Sequence, residues 1–396
     1  MKVLMSCRQH PKHLCGGLSI ASWNTAKAAR DAGHDVTFLT AEHPSQPDLA
    51  ETEEDGIKVS WVQGMFHDST GYPDLYKCLR AHKEWVMGFD ILHSQSSALT
   101  PCLEWGKPII FQDHGTMLAA MQDDMNMHAF GMEKKFGIAL GTSWKTDVAY
   151  NKMYDEFTLC IEGQREMDYL RKFTQVWATS AISAEDLVTR YFLCNVRLFY
   201  HSIYDLVYPG PREAASTPVV GFFALELDAP QKYAKLGLSQ LLPIKDQISI
   251  KLVGNGPVTV AWAKEHFPRV EYTGYLQESD AFQALCSVDV LFECSCHHRG
   301  LNLAGITAMG LGIPVIAYPT GGHPDMIGEE ALYNIYGPGG ALVDPFDDQM
   351  ACEAVRNITI NRSVRSVKAR LQFESKFLPK IVSKRLDELY AEILSG

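Results

Sequence analysis

The chain has 396 residues, 46% hydrophobic and 21% charged, which is enough for two cored domains and too much for one ordinary core. Its formal net charge is −11 with no basic run, which argues against a polybasic membrane patch and against tight non-specific binding of nucleic acid. Ten cysteines lie without a framework spacing, the first residues do not read as a secretory leader, and the longest uncharged apolar stretch, Leu303 to Pro319, falls short of a membrane span. These features lead us to expect a soluble, cytoplasmic protein whose cysteines serve as small core hydrophobes.

In chain order, residues 2–6 read as a strand, 17–32 as a helix with apolar residues near 3.6 spacing, ended by Gly33, and 35–40 as the next strand. The acidic cluster Glu51-Thr52-Glu53-Glu54-Asp55 reads as a solvated loop face. Further strands are expected at 59–62, 91–93, 108–112 and 176–179. Between Thr116 and Lys172 the pattern is helical and rich in Met and aromatic residues, read as packed core helices, with a lid or acceptor-binding elaboration as the other reading. Pro209-Gly210-Pro211 reads as a linker. Beyond it, strands are expected at 219–223, 249–253, 270–272, 288–292 and 314–317, followed by a long amphipathic helix over 377–394.

Strand–helix alternation implies parallel sheets with helices on both faces. The expected α/β architecture is two doubly wound Rossmann-like domains, residues 1–208 and 209–376, facing a central cleft, with a helix in 377–396 crossing back over the boundary. Ligands in such folds sit at the carboxyl ends of strands.

The stretch Phe292 to Gly322 reads as a buried strand, a turn, a helix opening at Gly300-Leu301-Asn302-Leu303, a second strand and a Gly321-Gly322 loop. Glycine at a helix start lets a ligand approach unpaired N–H groups, where the helix dipole favours anions. Two such edges on one crevice suit the diphosphate of a sugar nucleotide. Gly16 and Gly17 open a helix after the long polar loop Cys7 to Cys15, and read either as another place of close approach or as a plain flexible turn. No Asp-x-Asp sits at a strand end, so no metal is expected. The one-residue spacing of Cys294 and Cys296, beside His297 and His298, is unlike that of a structural zinc site; contact of either histidine with a donor sugar fits better. No Gly-x-Gly-x-x-Gly follows the first strand, which disfavours an NAD-dependent oxidoreductase.

Several landmarks recur in one order along the chain. They are Gly16-Gly17 with Gly33-His34-Asp35-Val36-Thr37, Phe89-Asp90-Ile91-Leu92-His93-Ser94, and Phe111-Gln112-Asp113-His114-Gly115. Val253-Gly254-Asn255-Gly256-Pro257 follows, then Thr273-Gly274-Tyr275-Leu276 with Asp280, and Val288-Asp289-Val290. Gly312-Ile313-Pro314-Val315-Ile316-Ala317 and Thr320-Gly321-Gly322 complete the set. In this order they resemble the retaining family 4 glycosyltransferases over nearly the whole chain.

The resemblance implies the GT-B fold and a nucleoside-diphosphate sugar, UDP-linked, bound as substrate by the C-terminal domain without a cofactor. It implies retaining, metal-independent transfer of a hexosyl or pentosyl group to a hydroxyl, by front-face attack with the leaving phosphate taking the acceptor's proton. It marks His114, and His93 at the equivalent end of another strand, as catalytic candidates, because a neutral imidazole hydrogen-bonds a sugar hydroxyl or the departing oxygen. It implies donor contacts at Gly16, Gly17, Lys235, Arg299, Gly300, Leu301, Asn302, Leu303, Thr307, Gly321 and Gly322. Lys232 is the other reading of the lysine, and Asp325 reads as a sugar contact or a helix cap.

Two departures stand out. The family's usual Glu, seven residues, Glu becomes Arg299 and Thr307, and the arginine usual after the first strand of this domain becomes Phe222. Arg299, beside the Gly300 helix start, reads as a compensating cation for the diphosphate, as a partner for a carboxylated donor sugar, or as a solvated loop residue. The lost carboxylates leave a second reading open, a sugar-nucleotide-binding protein without catalysis. The acceptor is not legible: a glycan, a lipid, a small molecule or a modified nucleic-acid base all fit, and the oligomeric state is equally silent.

Overall fold

The computed structural model describes residues 1–7, 10–11, 16–41, 49–62, 73–95, 97–114, 164, 166–204, 206–211, 216–229, 232–295 and 300–395. Most of the helical pattern expected from Thr116 to Lys172 lies outside these residues, as do Cys296, His297, His298 and Arg299. Two compact units emerge, one from the described residues of 1–114, 164–204 and 378–395, the other from those of 206–377.

The first unit holds an eight-stranded sheet in the order β3-β4-β2-β1-β5-β6-β7-β8. Its strands are β1 (Lys2–Ser6), β2 (Asp35–Ala41), β3 (Ala50–Glu54), β4 (Ile57–Val62), β5 (Ile91–Gln95), β6 (Ile109–Gln112), β7 (Gln175–Ala178) and β8 (Val196–Leu198). Every pair is parallel except β3 with β4. Strands β5, β6 and β7 are buried at every position, as in a parallel sheet covered on both faces, and bury the polar His93, Ser94, Gln95, Gln112 and Gln175 along with their apolar residues. The acidic cluster expected to be a loop is in fact the edge strand β3. Asp55 and Gly56, both at positive φ (50° and 70°), turn the chain into an antiparallel hairpin, and charge suits an exposed edge.

The helix Pro379–Ser395 belongs to this first unit. Its apolar residues Val382, Leu386, Leu389, Tyr390 and Ile393 recur at helical spacing and join the cluster of Val3, Met5, Trp23, Phe38 and Trp177.

The second unit holds a seven-stranded sheet in the order β11-β10-β9-β12-β13-β15-β14. Here β9 is Val219–Glu226, β10 Ser249–Asn255, β11 Val270–Gly274, β12 Val290–Glu293, β13 Val315–Ala317, β14 Tyr336–Gly337 and β15 Gly340–Leu342. All pairs are parallel apart from the β14–β15 hairpin. Val220, Phe222, Ile250, Leu252, Val290, Phe292 and Ile316 form its core with the flanking helices.

One helix, Ala234–Gln240, sits so close to β12 that a Cβ on Gly237 would overlap the Cys294 sulfur. Gly237→Ala is therefore expected to cost about 1–3 kcal/mol, the usual penalty of overpacking, despite alanine's better helix propensity. Urea unfolding checks it, as a lower midpoint at an unchanged slope.

Candidate active site

In the second sheet β10 lies on one side of β9 and β12 on the other, so the strand order reverses between β9 and β12. Parallel sheets open a crevice beyond the carboxyl ends of their strands at such a reversal. Phe222, Phe223, Ala224 and Leu227 line it from the β9 side, Lys232 from the segment before the helix Ala234–Gln240, Ala234 from that helix's first residue, and Phe292, Glu293 and Cys294 from the β12 side. Its polar groups form a chain. The Lys232 ammonium donates to Ser295 Oγ at 3.2 Å, and that hydroxyl donates to the Glu293 carboxylate, which also accepts from the Ser295 N–H at 3.1 Å. Glu293 and Ser295 are buried, so the lysine is the member of this chain that a ligand reaches.

Two glycine-bearing loops meet beside this chain. Thr320 Oγ1 donates to the Ser295 carbonyl at 3.1 Å. A Cβ on Gly322 would lie 3.0 Å from the backbone N and Cα of Leu301, so the Gly321-Gly322 loop and the turn before the helix Leu303–Gly310 touch. Gly321 takes a positive φ of 52°. The helix start itself is capped: Asn302 Oδ1 accepts from the N–H groups of Ala304 and Gly305 at 2.8 and 3.2 Å. With Oδ1 committed, the NH2 of Asn302 is the donor it offers to an arriving anion.

Other expected donor residues are placed as follows. Lys235 lies half-buried on the helix Ala234–Gln240, and Lys232, not Lys235, lines the crevice. Thr307 is buried in the helix Leu303–Gly310. Phe222, where the resemblance expects a guanidinium, is core: its ring packs on Phe292 at 5.6 Å. Asp325 is buried, and its carbonyl accepts from the Lys376 ammonium at 3.1 Å. The glycine turn after β10 opens a helix, Pro257–His266, whose first N–H groups are already taken. The Asp228 carboxylate accepts from Val258 and Thr259 at 2.9 and 2.7 Å.

In the first sheet the order reverses between β1 and β5. Gly16 caps the helix Gly17–Asp31 that follows β1, and a Cβ at Gly16 or Gly17 would meet nothing within 4 Å among the described residues. Gln95 ends β5, Gln112 ends β6, and His114 follows two residues later. His114 Nε2 lies 2.6 Å from Gln95 Oε1, and its ring stacks on His201 at 5.1 Å with planes only 7° apart.

His93, the second catalytic candidate, lies inside the unit. It is fully buried, with Nδ1 2.8 Å from the Tyr390 hydroxyl and Nε2 3.0 Å from Gln112 Oε1. Both ring nitrogens have partners inside the unit. Desolvation pushes its pKa down to about 3 and that of His201 down to about 4, so both rings are neutral near pH 7.

Sequence reading missed Glu293, Ser295, Gln95 and Gln112. A signal exists for all but Ser295, a Glu or Gln closing a buried apolar strand. His201 and Tyr390 reach the cluster from distant segments and carry no such signal.

Among the described residues no helix is long and apolar enough to cross a membrane. The family description "Glycosyltransferase Family 4" matches residues 15–203, and "Glycosyl transferases group 1" matches residues 217–361. The sulfoquinovosyl transferase SQD2 of Arabidopsis thaliana is 32% identical over 120 residues, which span 30% of this chain and 22% of that relative. Sucrose-phosphate synthase from Thermosynechococcus elongatus matches with a TM-score of 0.71 at 16% identity, over 100% of this chain and 99% of that one. Anabaena HepE, solved in complex with UDP and glucose, matches with a TM-score of 0.66 at 15% identity, over 99% and 100%. The two sheets, each with its helices, are thus the two domains of a GT-B fold. Carrying a glycosyltransferase domain in each half, the chain is a GT-B glycosyltransferase.

Proposed function

We propose that the chain moves a sugar from a nucleoside-diphosphate sugar, UDP-linked, to a hydroxyl acceptor, with retention of configuration and without a metal or other cofactor. The observation that carries this reading is the Lys232-lined crevice at the β9–β12 reversal, flanked by two glycine-bearing loops in mutual contact. Lys232 and the Asn302 NH2 hold the diphosphate, Gly321 and Gly322 let it approach, and Arg299, next in sequence to Gly300, supplies a further cation. These donors neutralise charge on the leaving group in the place of a divalent ion. His114, as a neutral imidazole, serves the sugar hydroxyl or the departing oxygen. HepE, of the same fold, was solved with UDP and glucose, which supports the choice of donor class. The acceptor is one of four classes, glycan, lipid, small molecule or modified nucleic-acid base, and the setting is the cytoplasm.

Calorimetric titration of UDP into wild type and Lys232→Met tests the reading. The variant should bind UDP about 1.5–3 kcal/mol more weakly, the worth of a hydrogen bond to a charged group, and lose as much for UDP-sugars. Equal binding by both proteins would sink it. Donor turnover that persists in EDTA supports catalysis without a metal, whereas binding without any turnover would favour the non-catalytic alternative, to which the loss of a carboxylate at Thr307 points.

A further inference from the structure

We infer that Ser295 is a positioning residue: its hydroxyl stands between the Lys232 ammonium and the Glu293 carboxylate, and so keeps the lysine available to an arriving anion instead of closed in an ion pair. The inference deepens the reading of Lys232 as a diphosphate-holding cation and rests on it.

Chemistry fixes the sense of each hydrogen bond here. An ammonium only donates and a carboxylate only accepts, so a hydroxyl between them accepts from the first and donates to the second. Lys232 Nζ donates to Ser295 Oγ at 3.2 Å, and the single hydroxyl hydrogen goes to Glu293 Oε1. The same carboxylate oxygen accepts from the Ser295 N–H at 3.1 Å, which holds the carboxylate back against the chain. The Ser295 carbonyl accepts from Thr320 Oγ1 at 3.1 Å. Both backbone groups of the spacer are thereby held, and its side chain has one place to go.

Opposite charges separated by one hydroxyl, in a place sheltered from water, attract strongly. They do not close: among the described residues no carboxylate forms an ion pair with Lys232. Ser295 and Glu293 are 2% and 3% exposed whereas Lys232 is half-buried, so the ammonium stands at the open end of the chain and the carboxylate at its closed end. A lysine paired directly with Glu293 has to break that pair before it holds a phosphate. One resting on a neutral hydroxyl exchanges a weaker partner for a charged one. Ser295 and Glu293 therefore touch no ligand and act through Lys232.

Calorimetric titration of UDP into wild type, Ser295→Ala, Glu293→Gln and the double variant tests this. Ser295→Ala removes the spacer and lets Lys232 close on Glu293, so it should bind UDP about 10-fold more weakly, the scale of one hydrogen bond to a charged group. Glu293→Gln keeps an accepting oxygen for Ser295 and removes the capturing charge, so UDP should bind at least as tightly as to wild type. The double variant should recover to within about threefold of wild type, because nothing is left to capture the lysine. A merely structural role for Ser295 gives no such recovery, since a second buried substitution adds to the damage. Wild-type affinity in Ser295→Ala, or a double variant no better than Ser295→Ala, overturns the inference. Should Ser295→Ala not fold, Glu293→Gln decides alone: UDP binding more than about threefold weaker than wild type would make the carboxylate a support for the lysine and overturn the inference equally. Lys232→Met, titrated alongside, separates the two failures, because UDP binding equal to wild type in that variant sinks the reading of Lys232 itself.

Discussion

Replacing His114 with alanine is expected to lower kcat by about 10²–10⁴-fold, the span that a positioned general acid or base contributes, with UDP affinity within about twofold of wild type. The expectation rests on how firmly the ring is held. It lies two residues past a buried strand, with Nε2 2.6 Å from Gln95 Oε1 and the ring flat on His201, so it reaches its working orientation without reorganisation. UDP affinity should hold because the groups read as its binding site, Lys232, Asn302, Gly321 and Gly322, all belong to the second unit. The separation of kcat from nucleotide affinity is therefore the informative result. His114→Gln, which keeps a hydrogen-bonding side chain but accepts no proton at neutral pH, should fall between alanine and wild type. An alanine variant that turns over within about threefold of wild type would make His114 a structural residue, since that ratio is under 1 kcal/mol of transition-state stabilisation.

The fold was legible wherever an apolar run had to be buried on both sides. Val3-Leu4-Met5 and Val290-Leu291-Phe292 read as strands because only a covered parallel sheet hides such runs, and both lie where expected. Strand β3 was not legible, since an exposed edge strand of alternating Glu has no apolar face and forms only because Asp55-Gly56 turns it back onto β4. At the β9–β12 crevice the glycine loops were legible as glycines, but their mutual contact was not. That Gly322 lies against Leu301 depends on how two crossovers pack, and twenty residues separate them. Phe222 illustrates the opposite case. A departure from the resembled pattern looked like a missing contact, and the structure shows a core residue packed at a tilt on Phe292 while Lys232 brings a positive charge to the same crevice. The cluster behind His114 was the least legible part. Tyr390 stands 297 residues from the His93 it bonds, and no local pattern links a tyrosine in an amphipathic helix to a strand end.

That cluster also predicts marked acid lability. His93 and His201 are wholly buried, and desolvation lowers their folded pKa values to about 3 and about 4 from 6.5. Above 6.5 both rings are neutral whether the chain is folded or not, so they impose no pH dependence there. Below 6.5 the unfolded chain takes up two protons that the folded chain refuses, and stability falls with pH until the folded rings titrate, near pH 4 for His201 and near pH 3 for His93. Between pH 7 and pH 5 the two together should cost about 4 kcal/mol, a large share of the roughly 5–15 kcal/mol that holds a domain together. His34, whose folded pKa is lowered chiefly by desolvation, acts in the same sense. Glu392, lowered chiefly by its hydrogen bond from Arg197, responds only below its unfolded value of 4.5 and leaves this window clear. Urea unfolding at pH 7 and pH 5 measures the effect, and His201→Asn, which removes one of the two rings, should have a smaller drop between the two pH values even though it starts less stable. Equal midpoints for wild type at pH 7 and pH 5 would mean that the folded chain protonates these rings as readily as the unfolded one. Burial would then not hold His93 and His201 neutral behind His114.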